Sequence, residues 1–443
     1  MDACVVGAGA GGAVAAKELA EGGMRVALLE EGEWEDTATF TARPREMTSR
    51  LYRDAGQVAT VGRPPILLPV GRAVGGTTLI NSATCFRTPA RVLERWRDEL
   101  GLDQLTESEL EPWFRRVERE LNVVQVPPDL AGRNAAVVRR GVERLGWSGD
   151  FLYRNVRGCV GAGVCAFGCP SGAKQHTGVT YVPKAWAAGA TTYTGARGAR
   201  RGAGPRRPRG HRYCDEWAHE GFVLEGAAGP PDYIAASIPR SGPEHRALMD
   251  RYPHMSQFGI MVCDGSRGSV RELAGRPQIR YELDARDARA VQRGIEALCE
   301  IYWAAGAREV ILPSRRIPTL RNGETRPFGD EPVRRGELAL MAFHPLGTAR
   351  AGADPRASVV DGFGRVHGVS GVHVLDGAMV PSALGVKPQI TIMALATRAA
   401  FALLDAPPPD EPAPERCRCR VPPRRSRPSM RRACSLAAPR SRR

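Results

Sequence analysis

No apolar run in the 443 residues approaches the roughly 20 that a membrane-spanning helix needs, so no integral membrane segment is expected. The N-terminus, MDACVVGAGAGG, lacks a basic n-region and a cleavage site and runs straight into an apolar strand and a glycine loop. The location it suggests is cytoplasmic. Two segments, 196–213 and 416–443, lack lysine, aspartate and glutamate altogether and hold 7 and 11 arginines. Those 18 charges exceed the net charge of +15, which leaves the rest of the chain at about −3 and therefore not basic. Both segments are built mostly from Arg, Gly, Ala, Pro and Ser, have no hydrophobic periodicity, and cannot repay the entropy of ordering. We read them as disordered or out-of-frame sequence from a GC-rich coding region, and expect no nucleic-acid partner.

What is present fits a large globular protein. With 42% hydrophobic residues the chain can bury a sizeable core, and its length suggests two or three domains. Eleven cysteines in a chain not expected to be exported argue against a disulfide framework. Cys4, Cys85, Cys214, Cys263 and Cys299 are scattered and read as buried or idle.

The N-terminal stretch ACVVGAGAGGAVAAKELAEGGMRVALLEEG carries a short strand, Gly7-x-Gly9-x-x-Gly12, an amphipathic helix and a second strand ending in Glu30. Gly7 suits the tight turn, Gly9 lets backbone approach a pyrophosphate, and Gly12 lets the helix pack close to the sheet. A carboxylate at Glu30 is placed to accept hydrogen bonds from an adenosine ribose. The fingerprint alone leaves NAD and FAD both open. The next motif, GRAVGGTTLINSATCFRTP (71–89), pairs a Gly75-Gly76 turn with the hydroxyls of Thr77 and Thr78 and with Asn81, a loop against which a flat ring system can lie.

At these residues the chain resembles the glucose-methanol-choline (GMC) family of FAD oxidoreductases, whose first signature is matched by Gly71-Arg72-x-Val74-Gly75-Gly76-Thr77-Thr78-x-Ile80-Asn81. Cys85 and Thr88 depart from it, and the CFRTP continuation is similar to the bacterial long-chain alcohol and cholesterol oxidase-like branch. The resemblance implies FAD as cofactor and an α/β fold: an FAD-binding Rossmann-like domain interleaved with an antiparallel-sheet-plus-helix substrate domain. It also implies oxidation of the CH–OH group of a small-molecule alcohol, of a hydrophobic or sterol-like kind. Neither the alcohol nor the electron acceptor is identified by it.

The segment MAFHPLGTARAGADPRASVVDGFGRVHGVSGVHVLDGAMVPSALGVKPQITIMALATRA (341–399) extends the resemblance. By it His344, in His-Pro-Leu-Gly-Thr, is the catalytic base, Asp376 and Gly377 meet the flavin, and Lys387 occupies the second catalytic position, where His or Asn is usual. His367 and His373 read as structural. From Pro388 and Gln389 an almost wholly apolar helix is expected over 388–404, with proline suited to its first position and its N-terminus suited to stabilise negative charge on reduced flavin. A lysine at that mouth opposes the helix dipole.

The run GCVGAGVCAFGCPSGAK (158–174) places Cys159, Cys165 and Cys169 at three of the four ligand positions of a bacterial ferredoxin run, with Ala162 at the second. An iron–sulfur cluster and zinc remain open, but the favoured reading is a glycine-rich loop with buried cysteines near the cofactor, and no metal.

Seven stretches are expected: 1–90, the first part of the FAD-binding domain; 91–155, a peripheral helical segment in which Thr106 and Glu109 form a capping box; 156–195, the second FAD-binding part; 196–213, irregular; 214–340, the substrate-binding domain; 341–405, the C-terminal FAD-binding part with the catalytic motif; and 406–443, a disordered basic tail. Within 214–340, the stretches around 216–239, 259–270 and 276–284 alternate as strands do, 285–307 reads as an amphipathic helix, and Glu225 reads as a strand-end surface charge. One part of the resemblance is missing. After TTYTGAR (191–197) no strand ending Ala-Ala-Gly, with Ser-Pro or Thr-Pro behind it, is found, so the interior looks truncated and a sheet edge is expected to lie bare. A degenerate member unable to retain FAD is the alternative this raises.

Overall fold

The computed structural model describes residues 1–196, 212–214, 216–226, 231–321, 323–329 and 331–409. The arginine-rich segment 196–213 lies almost wholly outside the described residues, as does the basic tail beyond 409.

The N-terminal pattern folds as its periodicity dictates. The first strand, Ala3–Val6, pairs in parallel with the second, Val26–Leu29, in the register Ala3 to Val26 through Val6 to Leu29, and the opening helix Gly12–Glu21 crosses between them. A third parallel strand, Thr191–Tyr193, lies on the far side of the second. The first strand is thus an edge of this sheet, and among the described residues no strand pairs with its other side. Val6, at its end, is 74% exposed.

The opening helix buries Ala13, Val14, Ala15, Ala16, Leu19 and Ala20, mostly small residues that allow close approach by two neighbours. One is the helix Thr177–Ala187, the other the final helix, Gln389–Leu403. The final helix is buried on most sides, as its composition requires. Pro388 caps it from one residue outside, at φ −84° and ψ −4°, instead of occupying its first turn.

Three helices, Ala90–Leu100, Glu107–Glu120 and Gly132–Arg144, follow the second motif. Thr106 caps the middle one by accepting a hydrogen bond from the Glu109 backbone N–H at 3.2 Å. This stretch, expected at the periphery, contributes Trp113, Phe114 and Val117 to the main core, where Trp113 meets Phe401 of the final helix edge-on at 5.2 Å.

The second half is antiparallel. A four-stranded sheet has the order Phe258–Val262, Phe222–Gly226, Arg212–Cys214, Asp150–Phe151, covered by the helix Ala285–Ala304 predicted from its periodicity. Asp284 caps that helix by accepting from Asp287 N–H at 2.8 Å. The strand reading over 216–239 holds only for Phe222–Gly226. Pro231–Ser237 is a helix, opened by proline in its first turn and continued by Ile234 and two alanines. The hairpin Gly268–Leu273 with Arg276–Tyr281 forms a two-stranded, mostly exposed ribbon whose second strand also bonds to the Val61 backbone. No helix among the described residues is long and apolar enough to cross a membrane.

Candidate active site

Three glycine-containing loops converge beside the opening helix. Gly7 has φ +91°, a conformation other residues rarely adopt, and a side chain at Gly7 or Gly9 would meet no atom within 4 Å, so the loop has open space beside it. Gly12 is the reverse case: a Cβ there would lie 1.9 Å from the Gly7 carbonyl oxygen. The second motif docks on the first through the Gly75 N–H, which donates to Ala8 O at 3.1 Å, and Gly76 lies against the Gly9 Cα. Thr177 Oγ1 reinforces the junction, donating to Ala8 O at 3.2 Å. Within the second motif Thr77 accepts from the Asn81 N–H at 3.0 Å, which sets the turn before the asparagine.

Glu30 lies between these loops. Its Oε2 accepts from Ala8 N–H and its Oε1 from Gly32 N–H, both at 2.8 Å, and burial raises its pKa against those two donors. The carboxylate therefore already holds the glycine loop to the end of the second strand.

The third loop carries the C-terminal motif. Gly347 N–H donates to Gly377 O at 3.1 Å, so His-Pro-Leu-Gly runs alongside Asp376 and Gly377. Asp376 is exposed and accepts from Ala378 N–H at 2.8 Å. His344 keeps partial contact with solvent, yet the protein crowding its ring depresses its pKa from 6.5 to about 4. At neutral pH the imidazole is uncharged and can accept a proton. His367 is held structurally, its Nε2 within 3.1 Å of Ser358 Oγ and Gly352 O.

Asn81 reaches across 308 residues to donate from Nδ2 to Gln389 Oε1 at the start of the final helix. Gln389 Nε2 is buried and has no partner among the described residues. A buried amide donor left over beside a helix N-terminus, together with open space along Gly7 and Gly9, is a donor set and a cradle that suit a flavin dinucleotide.

Lys387 sits at the mouth of the final helix, 6% exposed, with its Nζ donating to Glu225 Oε2; Met261 Sδ is 4.0 Å away. This corrects the surface reading of Glu225. The strand Phe222–Gly226 is internal to the four-stranded sheet, all five residues are buried, and Glu225 is 5% exposed, with Oε1 unpartnered among the described residues. The legible signal was a charge interrupting an otherwise apolar strand.

The cysteine expectations are also adjusted. Cys159, Cys165 and Cys169 are partly exposed rather than buried, and Cys4 is exposed. Among the described residues no group of three or more His, Cys, Asp or Glu side chains is placed to hold a metal ion. Sequence reasoning missed Lys174, a buried amine whose Nζ donates to the carbonyls of Leu79, Asn81 and Cys165 and so pins the cysteine loop to the second motif.

Known proteins resemble this chain in sequence and in fold. Family models described as GMC oxidoreductase match residues 48–206, for the N-terminal part, and 264–396, for the C-terminal part. An uncharacterized GMC-type oxidoreductase of Mycobacterium tuberculosis is 34% identical over 89% of this chain and 74% of its own length. A long-chain-alcohol oxidase of Arabidopsis thaliana is 24% identical over 89% of this chain and 66% of its own. Among solved structures, pyridoxine 4-oxidase from Mesorbium loti superposes with a TM-score of 0.62 at 15% identity, over 90% of this chain and 98% of its own, a likeness of fold.

Proposed function

The chain belongs to the GMC oxidoreductase family of FAD-dependent enzymes, and from that premise we propose that it oxidises the CH–OH group of an alcohol with His344 as the base. When bound, FAD supplies the acceptor, flavin N5, for the hydride leaving the alcohol carbon. His344 takes the hydroxyl proton on an imidazole nitrogen that its surroundings keep neutral. Lys387 steadies the negative charge that builds on the substrate oxygen. Its own desolvation, which would otherwise disfavour an ammonium there, is offset by Glu225. Gln389 Nε2 and the backbone N–H groups opening the final helix would hold the flavin ring, and Gly7, Gly9 and Gly12 would form the pyrophosphate turn.

The observation that carries this reading is the course of the His344 loop, which runs along Gly377, a glycine that itself faces Ile392 in the first turn of the final helix. The named activity of the Arabidopsis relative supports a hydrophobic alcohol as substrate. Purified protein is expected to show flavin absorption bands, or to gain them on adding FAD. In His344→Ala the bands should persist while alcohol-dependent flavin reduction falls by about a hundred- to ten-thousandfold. Unchanged reduction refutes His344 as base. A protein that never takes up flavin refutes the reading for this chain.

A further inference from the structure

Arg154 lies in the strand Tyr153–Asn155, against the second motif, and is 3% exposed. A guanidinium this deep needs a counter-charge or a full set of acceptors. Its Nε donates to Ser82 O at 3.0 Å. Its two terminal nitrogens face sulfur: Nη2 is 3.0 Å from Cys165 Sγ, and Nη1 is 3.8 Å from Cys159 Sγ. The groups that favour its charge most are thiols, Cys165, Cys159 and Cys85, and no carboxylate is among them. Cys165 and Cys159 therefore share one guanidinium fork, six positions apart in a glycine-rich loop, and both retain access to solvent. A cavity of about 20 Å³, room for one water-sized molecule, is lined by Arg154 and all three loop cysteines. Cys169 has a different donor: its sulfur accepts from the Lys174 N–H at 3.4 Å.

We propose that Cys165 is a thiolate held by Arg154 and that hydrogen peroxide oxidises it to a disulfide with Cys159. The combination of a cationic neighbour, partial exposure and an adjacent second thiol is what a peroxide-reactive cysteine requires. The Cys165 sulfur attacks one peroxide oxygen, the O–O bond breaks, and the departing hydroxide takes a proton and leaves as water. Cys165 is then a sulfenic acid. The Cys159 sulfur attacks it, the S–S bond forms, and the sulfenic oxygen leaves as a second water. The two sulfurs together lose two electrons and peroxide gains them.

The test uses the full chain, reduced and then freed of reductant. Iodoacetamide at about pH 6.5 is expected to label Cys165 at least about tenfold faster than Cys169, read by peptide mass spectrometry. Arg154→Met should abolish the difference and Arg154→Lys should keep part of it. Should both of these buried-site variants fail to fold, Cys159→Ser decides, because peroxide must then leave Cys165 as a sulfenic acid trapped by dimedone. In the unsubstituted chain one equivalent of peroxide should yield a Cys159–Cys165 cross-link. Equal labelling rates, thiols left free by peroxide, or a cross-link to Cys169 in place of Cys159 each overturn the proposal. So does protein that carries stoichiometric iron and acid-labile sulfide.

Discussion

The opening helix and the final helix both bring N-termini with no side-chain cap to the converging loops, and they are built from opposite materials. At the first, the approach is Gly7 to Gly12, with no acidic residue in the first turn. At the second, a buried lysine stands against the helix dipole and is neutralised by a glutamate from another sheet. Both mouths suit an anionic or electron-rich group. The first does so from local sequence, whereas the second depends on a partner 162 residues away.

The largest expected effect breaks the second mouth. Lys387→Asn leaves Glu225 buried without its cation and should cost about 3–5 kcal/mol in denaturant unfolding. Adding Glu225→Gln should recover most of that stability without restoring alcohol-dependent flavin reduction. A single-variant cost below about 1 kcal/mol would mean that the pair is not desolvated. The first mouth should respond to one methyl group. In Gly12→Ala the new carbon falls 1.9 Å from Gly7 O, so the helix must shift. A loss of about 1–3 kcal/mol is expected, with a lower flavin content after gel filtration.

A milder test uses pH. Because the His344 pKa lies below its ordinary value, the ring stays neutral and able to accept a proton throughout the range above about pH 4. Flavin reduction by alcohol should be flat as pH falls through 6.5 and decline only toward about 4. Over that same window the unfolded chain binds the proton more readily, so folding stability falls as well. A half-maximal rate near 6.5 would place the ring in an ordinary aqueous setting. The smallest effect sets a scale for both mouths: Thr106→Ala removes an ordinary side-chain cap and should cost about 1 kcal/mol with no change in flavin content.

These regions also differ in how much could be read beforehand. Strand, glycine loop, helix and strand follow from spacings within 30 residues, and the structure forms them with the two strands paired in parallel. The amphipathic helix Ala285–Ala304 and the buried final helix were legible for the same reason, since an apolar period is a local property. Pro231–Ser237 was misread because a short apolar stretch following strands does not distinguish strand from helix.

Sequence by itself determined the strand, glycine turn and helix at the N-terminus and the family motifs around His344. Each rests on residues near one another along the chain. Only the tertiary structure decided why a lysine can stand at position 387. It does so because an internal strand carries Glu225 to it, and no local pattern specifies which distant carboxylate a buried ammonium will meet. The same holds for Arg154, whose partners became thiols through the path of a glycine-rich loop. Burial makes such pairs obligatory, because an unpaired charge in the interior is too costly to keep, and chain topology chooses the partners.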